Sequence, residues 1–247
     1  MVNEKITKRI YISFHYKISF DNREWDQMEN NIEVKSQENL KLAKQEKELA
    51  KQSKEVGKME IKRAKARELL AAEDLELAKI KRAWAEKKLN LVIEKRNLKK
   101  KGYIQIEELD LKTEEETAVY NQKVAVIQEQ IAELHSDTAY LERKIAKMMI
   151  ALVEEKLYAA KEREKLSKRQ EILAKDLKEK ASEEKISSDK ANIVSQETLL
   201  GKARNRIIEA ESDIRMKQDE LSNLKKDLAD KLSEREKIRH VLIKDEF

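Results

Sequence analysis

The run Asn97-Leu98-Lys99-Lys100-Lys101-Gly102-Tyr103-Ile104 holds one of only three glycines in a chain of 247 residues that contains no proline. Proline and glycine are the strongest breakers of helices, so from about Met28 onward this run is the clearest place for a helix to end. Three lysines suit the negative end of a helix dipole, and a glycine just beyond them supplies the left-handed conformation of a C-terminal cap. Glu107, Glu108 and Asp110 then place acidic groups in the first turns of a new helix, where the opposite end of the dipole favours them. A turn this short, at residues 102–104, makes the two flanking helices antiparallel neighbours.

Charge patterning agrees with a fold-back at this glycine. Residues 79–101 carry ten basic and two acidic side chains, whereas residues 104–133 carry two basic and eight acidic ones. Antiparallel packing about Gly102 lays these stretches side by side, with residues whose numbers add to about 204 facing one another. Each exposed pair contributes only about 0.2–1 kcal/mol, so the pattern sets register more than stability.

Working outward, residues 29–101 read as a first long helix. Leu42, Leu49 and Val56 are spaced by sevens, and Leu77, Ile80, Trp84 and Leu91 follow at helical spacing. Alanines at 64, 66, 71, 72, 78, 83 and 85 are small enough to let a second helix approach closely. Gly57 is a soft point inside this helix, at about 1 kcal/mol relative to alanine. Residues 105–185 read as a second helix, whose seam runs through Tyr120, Val124, Ile127, Ile131, Leu134, Thr138, Leu141, Ile145, Met148 and Leu152. Four-three spacing sustained over this length signals a coiled coil.

Beyond Ser182 the clustered serines and Asp189 suggest a stutter or bend, with a second turn as the alternative. The C-terminal segment, 186–247, carries a further seam through Leu200, Ile207, Ile214, Leu221, Leu224 and Leu228. A first helix of about 72 residues spans roughly 108 Å and runs out of cover for the second near residue 175. The last seam therefore either folds back as a third helix or pairs with another subunit. Self-association, as a homodimer, is the simpler expectation.

The N-terminal leader, 1–28, is out of character. Ile10, Ile12, Phe14, Tyr16, Ile18 and Phe20 alternate with more polar residues, a period of two that marks a strand or else a disordered leader. Trp25 and Met28 follow, and Asp26 or Asn30 could cap the first helix.

Composition gives the class: with 42% charged and 4% aromatic residues, burial comes from thin aliphatic seams rather than a globular core. The expected fold is all-α, a long antiparallel helical hairpin or coiled coil. Cysteine is absent, which excludes a disulfide framework and disfavours zinc. His15, His135 and His240 are far apart, and neither a phosphate-binding glycine loop nor metal-ligand spacing occurs, so no enzyme, cofactor or metal site is expected. Basic charge on the first helix is matched by acid on the second, which disfavours nucleic acid as a partner. Without a signal peptide or a spanning segment, the chain as encoded reads as cytoplasmic; a misassigned start would allow a periplasmic location.

Leu98-Lys99-Lys100-Lys101-Gly102-Tyr103-Ile104, followed by Glu108-Leu109-Asp110, resembles the tip of the α-helical hairpin in bacterial membrane-fusion (periplasmic adaptor) proteins of the HlyD type. Gln105 stands where that family usually has serine, and its lipoyl and β-barrel domains have no counterpart here. The resemblance implies a bacterial cell-envelope protein in which Leu98, Gly102, Ile104 and Asp110 are tip contacts for a partner. The basic and acidic hairpin is also similar to phage-shock and ESCRT-III-like membrane-remodelling proteins, which implies a membrane surface as another partner. The reading of the residues themselves is a non-enzymatic coiled-coil scaffold, a spacer or tether that self-associates.

Overall fold

The computed structural model describes residues 22–245, and every regular element among them is an α-helix: α1 (Asn22–Lys100), α2 (Glu108–Lys178) and α3 (Glu183–Asp245). The alternating stretch from Ile10 to Phe20 lies outside the described residues. α1 begins at Asn22, seven residues before the expected 29, so Asp26 and Asn30 are interior to it rather than caps. Nothing in Arg23-Glu24-Trp25-Asp26-Gln27-Met28 opposes helix, and Arg, Glu, Gln and Met favour it.

Gly102 ends α1 as its sequence context requires. Its φ is +76°, the Tyr103 N–H donates to the Leu98 carbonyl at 3.0 Å, and the Gly102 N–H donates to that of Lys99 at 2.9 Å. These are the two bonds of a Schellman cap. The connection is longer than expected, however, and α2 starts at Glu108 rather than 105. Ile104 and Ile106 stay non-helical and half-buried, and Ile106 packs on Val92, Leu111 and Ala118 instead of starting the next helix.

A second turn closes α2 at residues 179–182, where a stutter or bend was the first expectation and a turn the alternative. The Ala181 N–H donates to the Asp176 carbonyl at 2.9 Å and that of Lys180 to Leu177 at 3.1 Å, the same cap with Lys180 in the glycine's place at φ 52°. The Lys185 N–H reaches Ser182 Oγ at 3.4 Å, so Ser182 caps α3. A left-handed residue with a Cβ costs roughly 1–2 kcal/mol. Lys180→Gly should therefore raise the unfolding free energy by about 1 kcal/mol in urea titration. Gly102→Ala should lower it by a similar amount, although a Cβ at Gly102 meets nothing within 4 Å.

The described residues of the helices contribute to two compact units, 22–51 with 154–207 and 52–153 with 208–245. In the first, Ser36 Oγ donates to the Ser167 carbonyl and Ser167 Oγ to that of Ser36, both at 2.8 Å. A hydroxyl reaching a backbone carbonyl on the facing helix requires a short approach of α1 to α2. Leu200 and Ala203 of α3 pack on Ala159 and Leu166 of α2, and Ile186 joins Leu173, Leu177, Met28 and Ile32 near the second turn.

In the second unit Val92 packs with Leu111 and Ala118, while Leu141 and Ile145 of α2 pack on Ile214 of α3. A Cβ built on Gly57 would lie 2.9 Å from Ile150 Cγ1. Gly57 is thus a point of close approach between α1 and α2, not the soft point expected of an isolated helical glycine.

Ser36 with Ser167 and Val92 with Leu111 each have numbers adding to 203, beside the expected 204. Stepping by sevens from these pairs gives Ala43, Ala50, Gly57, Ala64, Ala71 and Ala78 on α1, followed by a half-buried Ala85, and Ala118, Ala125, Ala132, Ala139, Ala146, Val153 and Ala160 on α2. Apart from Ala85, each of these positions is buried in the contact. A seven-residue repeat of small side chains keeps one face of each helix on its neighbour and lets the axes approach at the short end of the usual range.

Candidate interaction surfaces

Three faces fall out of this packing, and they differ from those the periodicity suggested. The four-three seam on α2 was expected to lie against α1. Instead, Leu141, Ile145, Met148 and Leu152 pack against Ile214, Leu221 and Leu224 of α3. Ile127 and Ile131 are buried and Val124 and Leu134 half-buried on the same helix. α1 uses the alanine face, where backbone proximity replaces side-chain volume.

The C-terminal seam, expected to remain open for another subunit, is occupied within the chain. Leu200 and Ile207 belong to the cluster around Ala159 and Leu166, and Ile214, Leu221 and Leu224 to the one around Leu141. Leu228 is half-buried. The reason is the turn at Lys180, which reverses the chain and brings α3 back along α2.

Ion pairs flank these seams. Across α1 and α2 of the second unit, Arg82 meets Glu129 at 2.8 Å, Lys95 meets Glu114 at 2.9 Å and Arg96 meets Glu115 at 2.5 Å. In the first unit Lys47 pairs with Glu164 and Arg163 with Glu46. Glu142 on α2 accepts from both Arg67 of α1, at 2.6 Å, and Lys225 of α3, at 3.0 Å. Burial raises the Glu142 pKa, but these two cations outweigh it and the net shift is downward.

Glu162 and Asp176 are buried carboxylates of α2 that serve α3 in the first unit, Asp176 by pairing with Lys185 at 2.6 Å and Glu162 by a denser set of bonds. Gln196 Nε2 donates to Glu162 Oε2 at 2.5 Å and to the Glu162 carbonyl at 3.1 Å, and Lys165 pairs with Oε1 at 2.7 Å. Burial pushes its pKa up, yet the hydrogen bonds from Lys165 and Gln196 prevail and hold it below the ordinary value of 4.5. A carboxylate depressed in the folded state adds stability above its unfolded pKa and loses that contribution as pH falls through the folded value. The urea midpoint should fall on titration from pH 7 to pH 3, and by less in Glu162→Gln.

The hairpin tip carries the four residues expected to contact a partner, and two of them share a groove. Leu98 and Asp110 line an open cleft of about 1050 Å³ with Leu91, Ile106 and Leu109. Gly102 shapes the turn, and Ile104 is half-buried in the loop. Tyr103 and Leu109, about three-quarters exposed, are apolar tip residues that the expected set omitted; both sit beside its members in the sequence. Lys99 holds Glu108 at 2.6 Å across the turn, and this bond lowers the Glu108 pKa.

The outer face of α1 is the third surface. Val56, Leu70, Leu77, Trp84 and Leu91, one residue ahead of the buried alanines, are all at least half exposed. Among the described residues no group of His, Cys, Asp and Glu is arranged to hold a metal ion, and no helix is long and apolar enough to cross a membrane. His135 is exposed and lines a shallow groove with Leu77 and Arg235.

Comparison with protein-family models, with curated proteins and with solved structures gave no match.

Proposed function

We propose that this chain is a non-enzymatic coiled-coil scaffold, a spacer or tether whose hairpin tip docks a partner protein. The observation that supports it is the seven-residue repeat of buried small residues on α1 and α2, flanked by cross-helix pairs such as Arg82 with Glu129 and Arg96 with Glu115. Such a seam fixes the axial position of one helix on the other, because a slip by one residue would put either large side chains such as Leu77 and Trp84 or charged ones such as Lys58 and Lys79 where only small ones fit. That is the property a spacer needs.

The exposed Tyr103 and Leu109 beside the Leu98 and Asp110 groove favour the tip as the docking end and agree with the adaptor-like, cell-envelope reading. A photo-crosslinking amino acid in place of Tyr103, in the native host, tests it. One dominant adduct to a protein other than the chain itself is the expected outcome. Adducts no stronger than those from the same residue placed at exposed Ala83 would contradict it.

Spacing is tested separately. The chain contains no cysteine, so labels at Lys65→Cys and Lys100→Cys on α1 are unambiguous. At 1.5 Å per residue they should lie about 53 Å apart in one narrow distribution by pulsed electron spin resonance, in chains diluted with unlabelled protein. A broad or bimodal distribution would remove the spacer.

A further inference from the structure

The exposed apolar face of α1 repeats with the period of a coiled coil. Val56, Leu70, Leu77, Trp84, Leu91 and Leu98 fall on one heptad position, with Arg63 as the sole interruption, and Met59 and Ile80 lie three residues further along on the same face. Their exposures, from 37% at Leu98 to 75% at Trp84, show that neither α2 nor α3 covers the stripe. A strict seven-residue repeat over this length matches a helix wound against it, since a sheet or loop has no means of following the drift of such a stripe. The occupant is therefore helical.

Charges along the edges of the stripe identify which helix. On the stripe and along this edge they run, from the N-terminal side, Glu60, Arg63, Arg67, Glu73 and Asp74, and from the C-terminal side Lys95, Glu94, Lys88, Lys87 and Lys81. The second series inverts four of the five signs of the first, all but Arg67 with Lys88, about a centre between Leu77 and Ile80. A face whose charges invert about its own midpoint is complementary to its own two-fold image, the requirement of an isologous interface. Antiparallel self-pairing would set Glu60 against Lys95, Arg63 against Glu94 and Asp74 against Lys81, each twice, around a centre where Leu77 packs on Ile80. Arg67 would oppose Lys88, like against like, and both Arg67 and Lys95 also hold ion pairs to α2, with Glu142 at 2.6 Å and Glu114 at 2.9 Å. A parallel pair would instead bring Glu55 to Glu60 and Lys62 to Arg67, like against like, with Glu76 to Lys81 as the one attractive contact of that series.

We infer that this face of α1 binds a second copy of the chain, antiparallel and centred near residues 77–80. The inference deepens the tether reading by naming one partner, and it moves self-association from the C-terminal seam to a surface that α2 and α3 leave open. Leu91 and Leu98 belong to both this stripe and the tip cleft, but the two readings fail separately: a dimer that gives no adduct from position 103 fails only the tip reading.

Light scattering coupled to size exclusion on the full chain supplies the test. At tens of micromolar the mass should be twice 29.0 kDa. Leu77→Glu with Trp84→Glu, both at exposed positions, should preserve helicity by circular dichroism and weaken dimerisation at least 100-fold. Asp74→Lys alone should weaken it about tenfold, and adding Lys81→Asp should restore it. A monomeric wild type, or a dimer indifferent to Leu77→Glu and Trp84→Glu, would overturn the inference. Failure of Lys81→Asp to rescue Asp74→Lys would overturn the antiparallel pairing.

Discussion

Ala118→Leu should destabilise the chain by about 3 kcal/mol, whereas Ala83→Leu should change its stability by less than about 0.5 kcal/mol. Both are alanines in long helices, so propensity treats them alike. Ala118 has no exposed surface and packs with Val92 and Leu111, at the heptad position that the register sets opposite Ala85. Three added carbons there meet Val92 and Leu111 in a site with no exposed surface, and make room by moving α1 away from α2. Ala83 lies on the exposed side of α1 and has solvent to extend into. Equilibrium urea unfolding followed by circular dichroism compares the two. Equal losses would mean that the buried alanine repeat does not set the approach of the helices.

Leu111→Ala should cost about 2–5 kcal/mol, the range for emptying a buried leucine site. Leu111 opens α2 immediately after the tip, only 1% exposed, against Val92, Leu89 and Ile106. It is the largest side chain in the α2 repeat of small residues, and it fills the space between Val92, Leu89 and the loop residue Ile106. The loss should appear with helicity largely retained at 25 °C and a lower midpoint. A change below about 1 kcal/mol would mean that the loop collapses into the site and that Ile106 is not held where Val92 and Leu111 place it.

The hairpin was legible in the sequence because its decisive residue is a glycine. Gly102 advertises a left-handed cap, the lysines and acids on either side fix polarity, and the register followed to within one residue at Ser36 and Ser167. The second turn was legible only as an alternative. Its left-handed residue is Lys180, and nothing in the local composition distinguishes that lysine from its many neighbours. Tertiary packing of Ile186 on Leu173 and Leu177 offsets the backbone strain there, and such packing is invisible one segment at a time.

Hydrophobic size misled the assignment of faces. Leu42, Leu49, Val56, Leu77, Trp84 and Leu91 were the obvious stripe of α1, yet all are exposed, and the buried face is the alanine series one residue later. Short side chains gain from closeness of backbones, a quantity that hydropathy does not register. The seven-residue recurrence of Ala43, Ala50, Gly57, Ala64, Ala71 and Ala78 was the available signal. The same displacement explains the α2 seam: its large residues were free to receive α3 because α1 had taken the small ones.

The closure of the hairpin through this repeat is most directly tested by a disulfide between Ser36→Cys and Ser167→Cys, whose hydroxyls now lie 3.1 Å apart. In a chain with no other cysteine, oxidation should join the two positions within one molecule, giving a single species that runs as a monomer in denaturing, non-reducing gels and reverts on reduction. Bridges formed only between molecules, or none under conditions that oxidise a free pair, would contradict it.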